Sequence, residues 1–318
     1  MISLKLLDWI DMNKLDWYYI SSNPCAIDMI KENLNKINWS ELSSNLNAIE
    51  ILEVNQNNID WYNLSGNPNA IKLLQNNIDK INWPMLSTNT NAIQLLKDNQ
   101  DKIDWFNLSA NPNAIELIKN NLDKINWSEL SGNINAIDLL KKHPEKIDWI
   151  YLSGNSNAIE LIKNNLDKIN WVELSLNPNA IQILKDNKDK IDWGQLSLNP
   201  NAIEILKDNI NKIDWYCISL NLGKGVDKIL ENNLNKINWR TISFNPNVIK
   251  LLKDNQDKIN WSYLSSNIAI FTYDYEKMRN LNQDLKEEII AAALHPKRIF
   301  RLIEEYGEEE IYNIYFDD

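Results

Sequence analysis

The apolar positions of this chain recur every 22 residues. Tryptophan stands at Trp17, Trp39, Trp61, Trp83, Trp105, Trp127, Trp149, Trp171, Trp193, Trp215, Trp239 and Trp261, always 22 residues after the last except for a 24-residue step from Trp215 to Trp239. With Trp as position 1, the unit reads W-x-x-L-S-x-N-P-N-A-I-x-L-L-K-x-N-x-x-K-I-(D/N). Ser at position 5 and Asn at position 7 occur in every copy, from Ser21 and Asn23 to Ser265 and Asn267.

This spacing predicts two short helices per unit. Position 22 is always Asp or Asn (Asp60, Asn82, Asp104), directly before Trp, where its side chain can cap a helix. Glu41, Glu129 and Glu173 at position 3 support that first turn. Trp at 1 and Leu or Ile at 4 share a face, and the helix is brief, with partial 3₁₀ character expected. Asn at 7 followed by proline (Pro24, Pro68, Pro112, Pro178, Pro200, Pro246) starts a second, longer helix, with Asn as cap and Pro as its first residue. Positions 10, 11, 13 and 14 carry its apolar stripe, and Lys at 15 suits its C-terminal end. Asn at 17 (Asn77, Asn99, Asn121) is expected to stop it by turning left-handed. A leucine-rich repeat is the rival reading, because L-S-x-N resembles its strand. That strand needs an apolar residue two before the leucine, and Ser40, Pro84, Gly194 and Arg240 occupy this slot.

The expected fold is therefore all-α: an α-solenoid, a superhelix of 22-residue repeats, each a short helix plus a longer one, with helical caps. A lone unit buries too little to fold, so neighbours must share apolar faces. The boundaries are an N-terminal helical cap at 1–16, with Ile2 to Ile10 as one amphipathic helix; a solenoid at 17–267; and a C-terminal helical cap with an acidic tail at 268–318. At roughly 8–10 Å per helix layer the array would be a rod or superhelix on the order of 100 Å long. The tail reads as three or four helices broken near His295-Pro296 and Gly307. A terminal cap is its leading role and an effector-docking module the alternative. The 24-residue unit carries Asn221-Leu222-Gly223-Lys224-Gly225-Val226-Asp227, whose two extra residues near 223–225 read as a tolerated loop, with a bend or partner-binding bulge as the alternative. The segment lacks P-loop spacing.

The run NPNAIELIKNNLDKINWSELS, with a tail of the type FTYDYEKM…LHPKRI, resembles repeat proteins encoded by giant DNA viruses of amoebae, the mimivirus-like group. The resemblance spans nearly the whole chain and implies a viral source and no chemistry. The alternation of short helices is also similar in architecture to the leucine-rich variant repeat.

Composition narrows the function. The chain has 318 residues, 44% hydrophobic and 24% charged, enough for a sizeable core. Its net charge of −11 is concentrated after Arg301 in Glu304, Glu305, Glu308, Glu309, Glu310, Asp317 and Asp318. Lysine rows at 15 (Lys97, Lys119, Lys163) and 20 (Lys80, Lys102, Lys124) are interleaved with Glu116, Asp98 and Asp101, a poor footprint for nucleic acid. Cys25 and Cys217 imply no disulfide framework, and no apolar run is long enough for a membrane span. His143 fills the slot of the helix-stopping Asn, and His295 a helix junction. No catalytic residues, metal ligands or cofactor are expected.

The informative positions are 2, 3 and 6, which point away from Trp and Leu and vary from copy to copy. The expected binding residues are Tyr18, Tyr19, Tyr62, Phe106, Ile150, Tyr151, Tyr216, Phe244 and Tyr263, beside Met85, Val172, Leu176, Leu198 and Leu220. Exposed aromatic and aliphatic side chains along one face suit protein recognition. The leading expectation is a non-enzymatic protein–protein interaction scaffold whose short-helix face grips a protein partner, a host protein in the infected cytoplasm being the candidate. A virion structural or assembly protein using the rod as a spacer is the alternative, and a nucleic-acid-binding repeat protein ranks below both.

Overall fold

The computed structural model describes residues 3–281, 286–287, 290–291, 293–307 and 311. Contacts divide the chain into two compact units, Leu6–Phe271 and a second made of Met1–Lys5 with Thr272–Asp318.

The first unit is an all-α solenoid. Each repeat opens on a short Trp helix such as Trp61–Gly66 or Trp105–Ala110, continues through a 3₁₀ turn or bend, and enters a second helix such as Ile71–Gln75 or Ile93–Asp98. A second 3₁₀ turn, for example Gln100–Lys102, often closes the repeat. The second helix is five or six residues long, shorter than expected, because it begins at position 11 and not at Asn 7. Asn67 does cap, but it caps the 3₁₀ turn Pro68–Ala70, its side chain accepting from the Asn69 N–H. The Asp or Asn before each Trp caps the Trp helix, as Asn82 does for the Met85 N–H. Leu at 4 and Ala at 10 are fully buried in unit after unit (Leu64, Ala70, Leu108, Ala114), and the Trp rings pack over this core.

Polar ladders tie the units together. The Asn111 side-chain amide donates to the Ser87 and Asn89 carbonyls of the preceding unit, at 3.0 and 3.1 Å, and Asn133 repeats the pattern one unit on. Ser109 Oγ donates to the Trp105 carbonyl and accepts the Asn126 N–H, so one hydroxyl joins the two ends of its own repeat. A third row was not anticipated. Asn at 9 donates to the position-8 carbonyl of the preceding unit, as Asn113 does to Thr90 and Asn135 to Pro112. Among the described residues no buried side-chain polar atom lacks a partner.

The ladder does not end. Asn23 of the first repeat donates to the Ser265 and Asn267 carbonyls of the last, and the Asp16 N–H donates to Ser265 Oγ at 2.8 Å. Tyr19 stacks on Tyr263, Lys14 lies over the Trp261 ring, and the Leu7 N–H donates to the Ile270 carbonyl. The Trp helices Trp17–Ser22 and Trp261–Ser265 therefore pack as neighbours, as consecutive ones do elsewhere. Taken by itself, the Leu6–Phe271 unit is a closed ring. Its twelfth repeat is split between the two ends of that segment. Trp261–Phe271 supply positions 1–11, and Leu6–Asp16 supply positions 12–22, ending on Lys14-Leu15-Asp16 where other copies end on Lys-Ile-Asp.

Several expectations are corrected by this closure. The array is a ring and not a rod. Of the expected helical cap at 1–16, the described residues 3–16 form no such helix: Leu4–Leu6 is a strand paired with Phe271–Tyr273, and Met12–Lys14 is the 3₁₀ turn that closes the twelfth repeat, capped by Asp11. The open apolar ends that made caps necessary are each covered by the other. The insertion leaves the ladder intact, since Asn245 still donates to the Ser219 and Asn221 carbonyls, and Val226 takes the buried slot of the usual Ala. Asn at 17 is not left-handed: Asn77 has φ −138° and returns its side-chain amide to the Leu73 carbonyl. Only Gly225 and Gly307 have positive φ among the described residues.

In the second unit the described elements include helices Tyr275–Leu281 and Pro296–Tyr306. His295 caps the latter, its ring accepting the Lys297 N–H, and Gly307 ends it at φ 96°, as the sequence reading expected of this junction. Glu308, Glu309, Glu310, Asp317 and Asp318 of the acidic tail lie outside the described residues, as do parts of the expected C-terminal cap.

Candidate interaction surface

Consecutive Trp helices pack closely around the ring except between Trp239–Ile242 and Trp261–Ser265, while consecutive second helices touch much less. A curved array brings its inner row together and spreads its outer row. The Trp helices are thus the inner row and the second helices the outer one. Each Trp helix buries positions 4 and 5 and lays position 1 over the core, leaving positions 2, 3 and 6 on the opposite side, toward the ring's interior. Twelve helices at roughly 8–10 Å give a ring about 30–38 Å across between axes. With helix radii of about 5–6 Å the opening is on the order of 20–25 Å, wide enough for one helical or extended segment.

The variable positions interlock along this concave wall. Position 2 or 6 of one unit meets position 3 of the next. Arg240 lies 5.1 Å over the Tyr263 ring, a methyl added at Gly132 would touch Tyr151, and the Asn63 amide donates to Ser40 Oγ. Of the expected binding residues, Tyr18, Tyr62, Phe106, Ile150, Tyr151, Tyr216 and Phe244 are exposed, Tyr62 to 56%. Tyr19 and Tyr263 are half-buried and stack on each other across the junction of first and last repeats. Val172 and Leu176 are exposed as well, and Met85, Leu198 and Leu220 are half-buried.

Position 2 alternates in size: Tyr18, Ser40, Tyr62, Pro84, Phe106, Ser128, Ile150. The capping residue alternates with it, as Asp16, Asn38, Asp60, Asn82, Asp104, Asn126 and Asp148. Small position-2 residues bond to the next cap: Ser40 Oγ donates to Asp60 and Ser128 Oγ to Asp148. Of the large ones, Tyr18 hydrogen-bonds to the Glu41 carboxylate and Arg240 stacks on Tyr263, while Tyr62, Phe106 and Ile150 are exposed in the wall. Through the first seven units the signal was present in the sequence as a 44-residue period beneath the stronger 22-residue one, and Val172, Gly194, Tyr216 and Arg240 then break it.

The charge on this wall is mainly negative. Glu41, Glu129 and Glu173 sit at position 3, and Arg240 is the one cation at positions 2, 3 and 6. The Tyr18 phenol is raised above its ordinary value by a hydrogen bond to the Glu41 carboxylate and by its charge. Elsewhere many lysines are engaged. Lys102 lies over Trp83 and Lys124 over Trp105, and Lys119, Lys163 and Lys207 pair with Glu116, Glu160 and Glu204 on the outer helices. The hydrogen bonds from Lys119 and Lys207 lower the Glu116 and Glu204 carboxyls below their usual range.

His143 packs its ring 5.2 Å from Trp127, where no lysine covers that indole, and stands 3.9 Å from Glu145. Among the described residues no three His, Cys, Asp or Glu side chains are grouped to hold a metal ion, and no helix is long and apolar enough to cross a membrane. Comparison with protein-family models, curated proteins and solved structures returned no match.

Proposed function

We propose that this protein is a non-enzymatic interaction scaffold whose ring presents a concave wall to a protein partner. The observation that carries the reading is the contrast between the ring's backbone and its inner face. Every unit spends its conserved-in-register polar side chains on ladders and caps, whereas Tyr18, Tyr62, Phe106, Ile150 and Tyr216 are large, apolar and exposed on one continuous surface. Aromatic anchors of this kind dominate binding energy when a partner desolvates them. The spacer role considered for a virion component needs an extended rod, which a closed ring does not supply.

The test is photo-crosslinking from the wall. A crosslinking side chain placed at Tyr62, Phe106 or Tyr216 should capture the same partner from an extract of the cells that make this protein. The same group at Gln94 or Gln182, on the outer helices, should not. With the crosslinking group at Ile150 instead, Tyr62→Ala, Phe106→Ala and Tyr216→Ala combined should remove the capture while the ring stays folded by circular dichroism. Capture that is equal from both faces, or indifferent to the triple variant, refutes the reading.

A further inference from the structure

The composition of the concave wall says more about what it would hold, and the inference drawn from it rests on the scaffold reading above. Three half-buried carboxylates, Glu41, Glu129 and Glu173, face the same surface as the exposed aromatic rings of Tyr18, Tyr62, Phe106 and Tyr216. None of the three forms an ion pair with a cation among the described residues, whereas the outer-helix glutamates Glu116, Glu160 and Glu204 are each paired with a lysine. Anionic and aromatic groups interleaved on one wall suit a single kind of side chain. A guanidinium can stack on a ring face and fork two N–H groups to a carboxylate at once, which an ammonium cannot do with both.

The wall already contains one example. Arg240 at position 2 lays its guanidinium 5.1 Å over the Tyr263 ring of the next unit. At the equivalent junction between the first two units the same slots hold Tyr18 and Glu41, whose phenol and carboxylate are hydrogen-bonded to each other with no cation beside them, so the carboxylate keeps acceptor sites for a guanidinium. We propose that the concave wall recognises an arginine-rich protein segment, whose guanidinium groups stack on the exposed position-2 rings and bond to the position-3 glutamates. Arg240 over Tyr263 displays, within the chain, the guanidinium–ring contact that the partner's arginines make at the Tyr18–Glu41 and Phe106–Glu129 junctions, where a position-2 ring adjoins a position-3 glutamate.

The probe is a fluorescent dodecapeptide of alternating arginine and glycine, titrated against the full chain near physiological salt, with lysine-for-arginine and glutamate-for-arginine versions beside it. The arginine peptide should bind more tightly than the lysine peptide, and the glutamate peptide should not bind. Glu41→Gln, Glu129→Gln and Glu173→Gln combined should weaken the arginine peptide at least about tenfold, as the loss of charge-assisted hydrogen bonds requires. Glu116→Gln, Glu160→Gln and Glu204→Gln combined remove the same formal charge from the outer helices and should leave its affinity within about twofold. Tyr62→Ala, Phe106→Ala and Tyr216→Ala should cost the arginine peptide more than the lysine peptide. Equal losses from the inner and outer glutamine triples would reduce the attraction to net charge and overturn the proposal. Equal binding of arginine and lysine peptides would overturn it as well. If either happens while crosslinks from Tyr62, Phe106 and Tyr216 still capture a partner, the scaffold survives and only the partner's chemistry is wrong.

Discussion

Asn23→Ala should loosen the ring at one place. Asn23 Nδ2 donates to the Ser265 carbonyl at 3.1 Å and to the Asn267 carbonyl at 3.3 Å, and its Oδ1 accepts the Cys25 N–H. Alanine keeps none of these, and Asn23 is 1% exposed, so water does not readily replace them. The Asn267 carbonyl still accepts from the Ile270 N–H, but the Ser265 carbonyl is left as a buried acceptor. One such orphan costs about 1–3 kcal/mol, and the lost cap adds about 1. A destabilisation of about 2–4 kcal/mol raises the opening constant of that junction by roughly 30- to 1000-fold. What remains across it includes the Asp16 N–H on Ser265 Oγ, the Lys14–Trp261 and Tyr19–Tyr263 ring contacts, the Leu7–Ile270 bond and the pairing of Leu4–Leu6 with Phe271–Tyr273. Position 9 of the first repeat is Cys25, so the second asparagine row does not reinforce it. Hydrogen exchange reads the result directly. The Asp16 amide should lose protection by that factor, while the Asp148 amide, held by Ser131 Oγ in the same way on the far side of the ring, keeps its own. Asn133→Ala removes the same chemistry within the continuous array and should leave Asp16 protected. Unchanged protection at Asp16 in Asn23→Ala, or an equal loss at both amides, would refute the closed ring as the source of order there.

Two further outcomes follow from the packing and the charges. Gly223→Ala would set a Cβ 2.2 Å from the Pro200 carbonyl, and a backbone oxygen of the preceding unit cannot swing aside, so the variant should lose about 3 kcal/mol in denaturant unfolding. Gly225→Ala meets only ordinary contacts but holds φ +94°, and should lose about 1–2 kcal/mol; equal costs would deny the close approach. Burial, then the charge and hydrogen bond of Asp214, push the Cys217 thiol from 9.0 up to about 11, so iodoacetamide should label it more slowly in the folded chain than in the unfolded one near neutral pH. The folded value is the higher, so the stability this thiol contributes is complete below pH 9.0 and lost as pH rises through about 11; labelling at the unfolded rate would contradict the shift.

Local chemistry was the legible part. A capping Asp or Asn before Trp and a buried Leu at 4 each state their role within a few residues, whereas Asn-Pro caps a 3₁₀ turn and not the longer helix expected of it. What crosses from one unit to the next was harder to read. Asn at 9 recurs in nine of the twelve units, yet its bond to the preceding unit exists only once units are stacked. Asn at 17 misled because asparagine can end a helix in two ways, and here it folds its amide back four residues with the backbone at negative φ. Closure was hidden for a related reason. Lys14-Leu15-Asp16 is the end of a repeat whose beginning lies some 250 residues later; Ile270-Phe271 replaces its Ala-Ile start, and its leucine pair, Leu6-Leu7, stands one position early with Asp8 in the second leucine slot. A strand and a turn stand where a helix would have kept the pattern visible.

Closure also changes what the variable residues mean. On an open superhelix, positions 2, 3 and 6 would form a stripe that any partner could enter at either end and in several registers. In the ring the stripe returns on itself, so each unit holds a fixed place opposite a definite other unit. The ladders keep twelve backbones nearly alike, and identity resides only in the side chains they display. Large apolar residues occupy position 2 in the first, third, fifth, seventh, eighth and tenth units, glutamates position 3 in the second, sixth and eighth, and the lone arginine position 2 in the eleventh. A uniform frame carrying an uneven pattern is how a repeat protein distinguishes one partner orientation from the eleven others that its near-symmetry would permit.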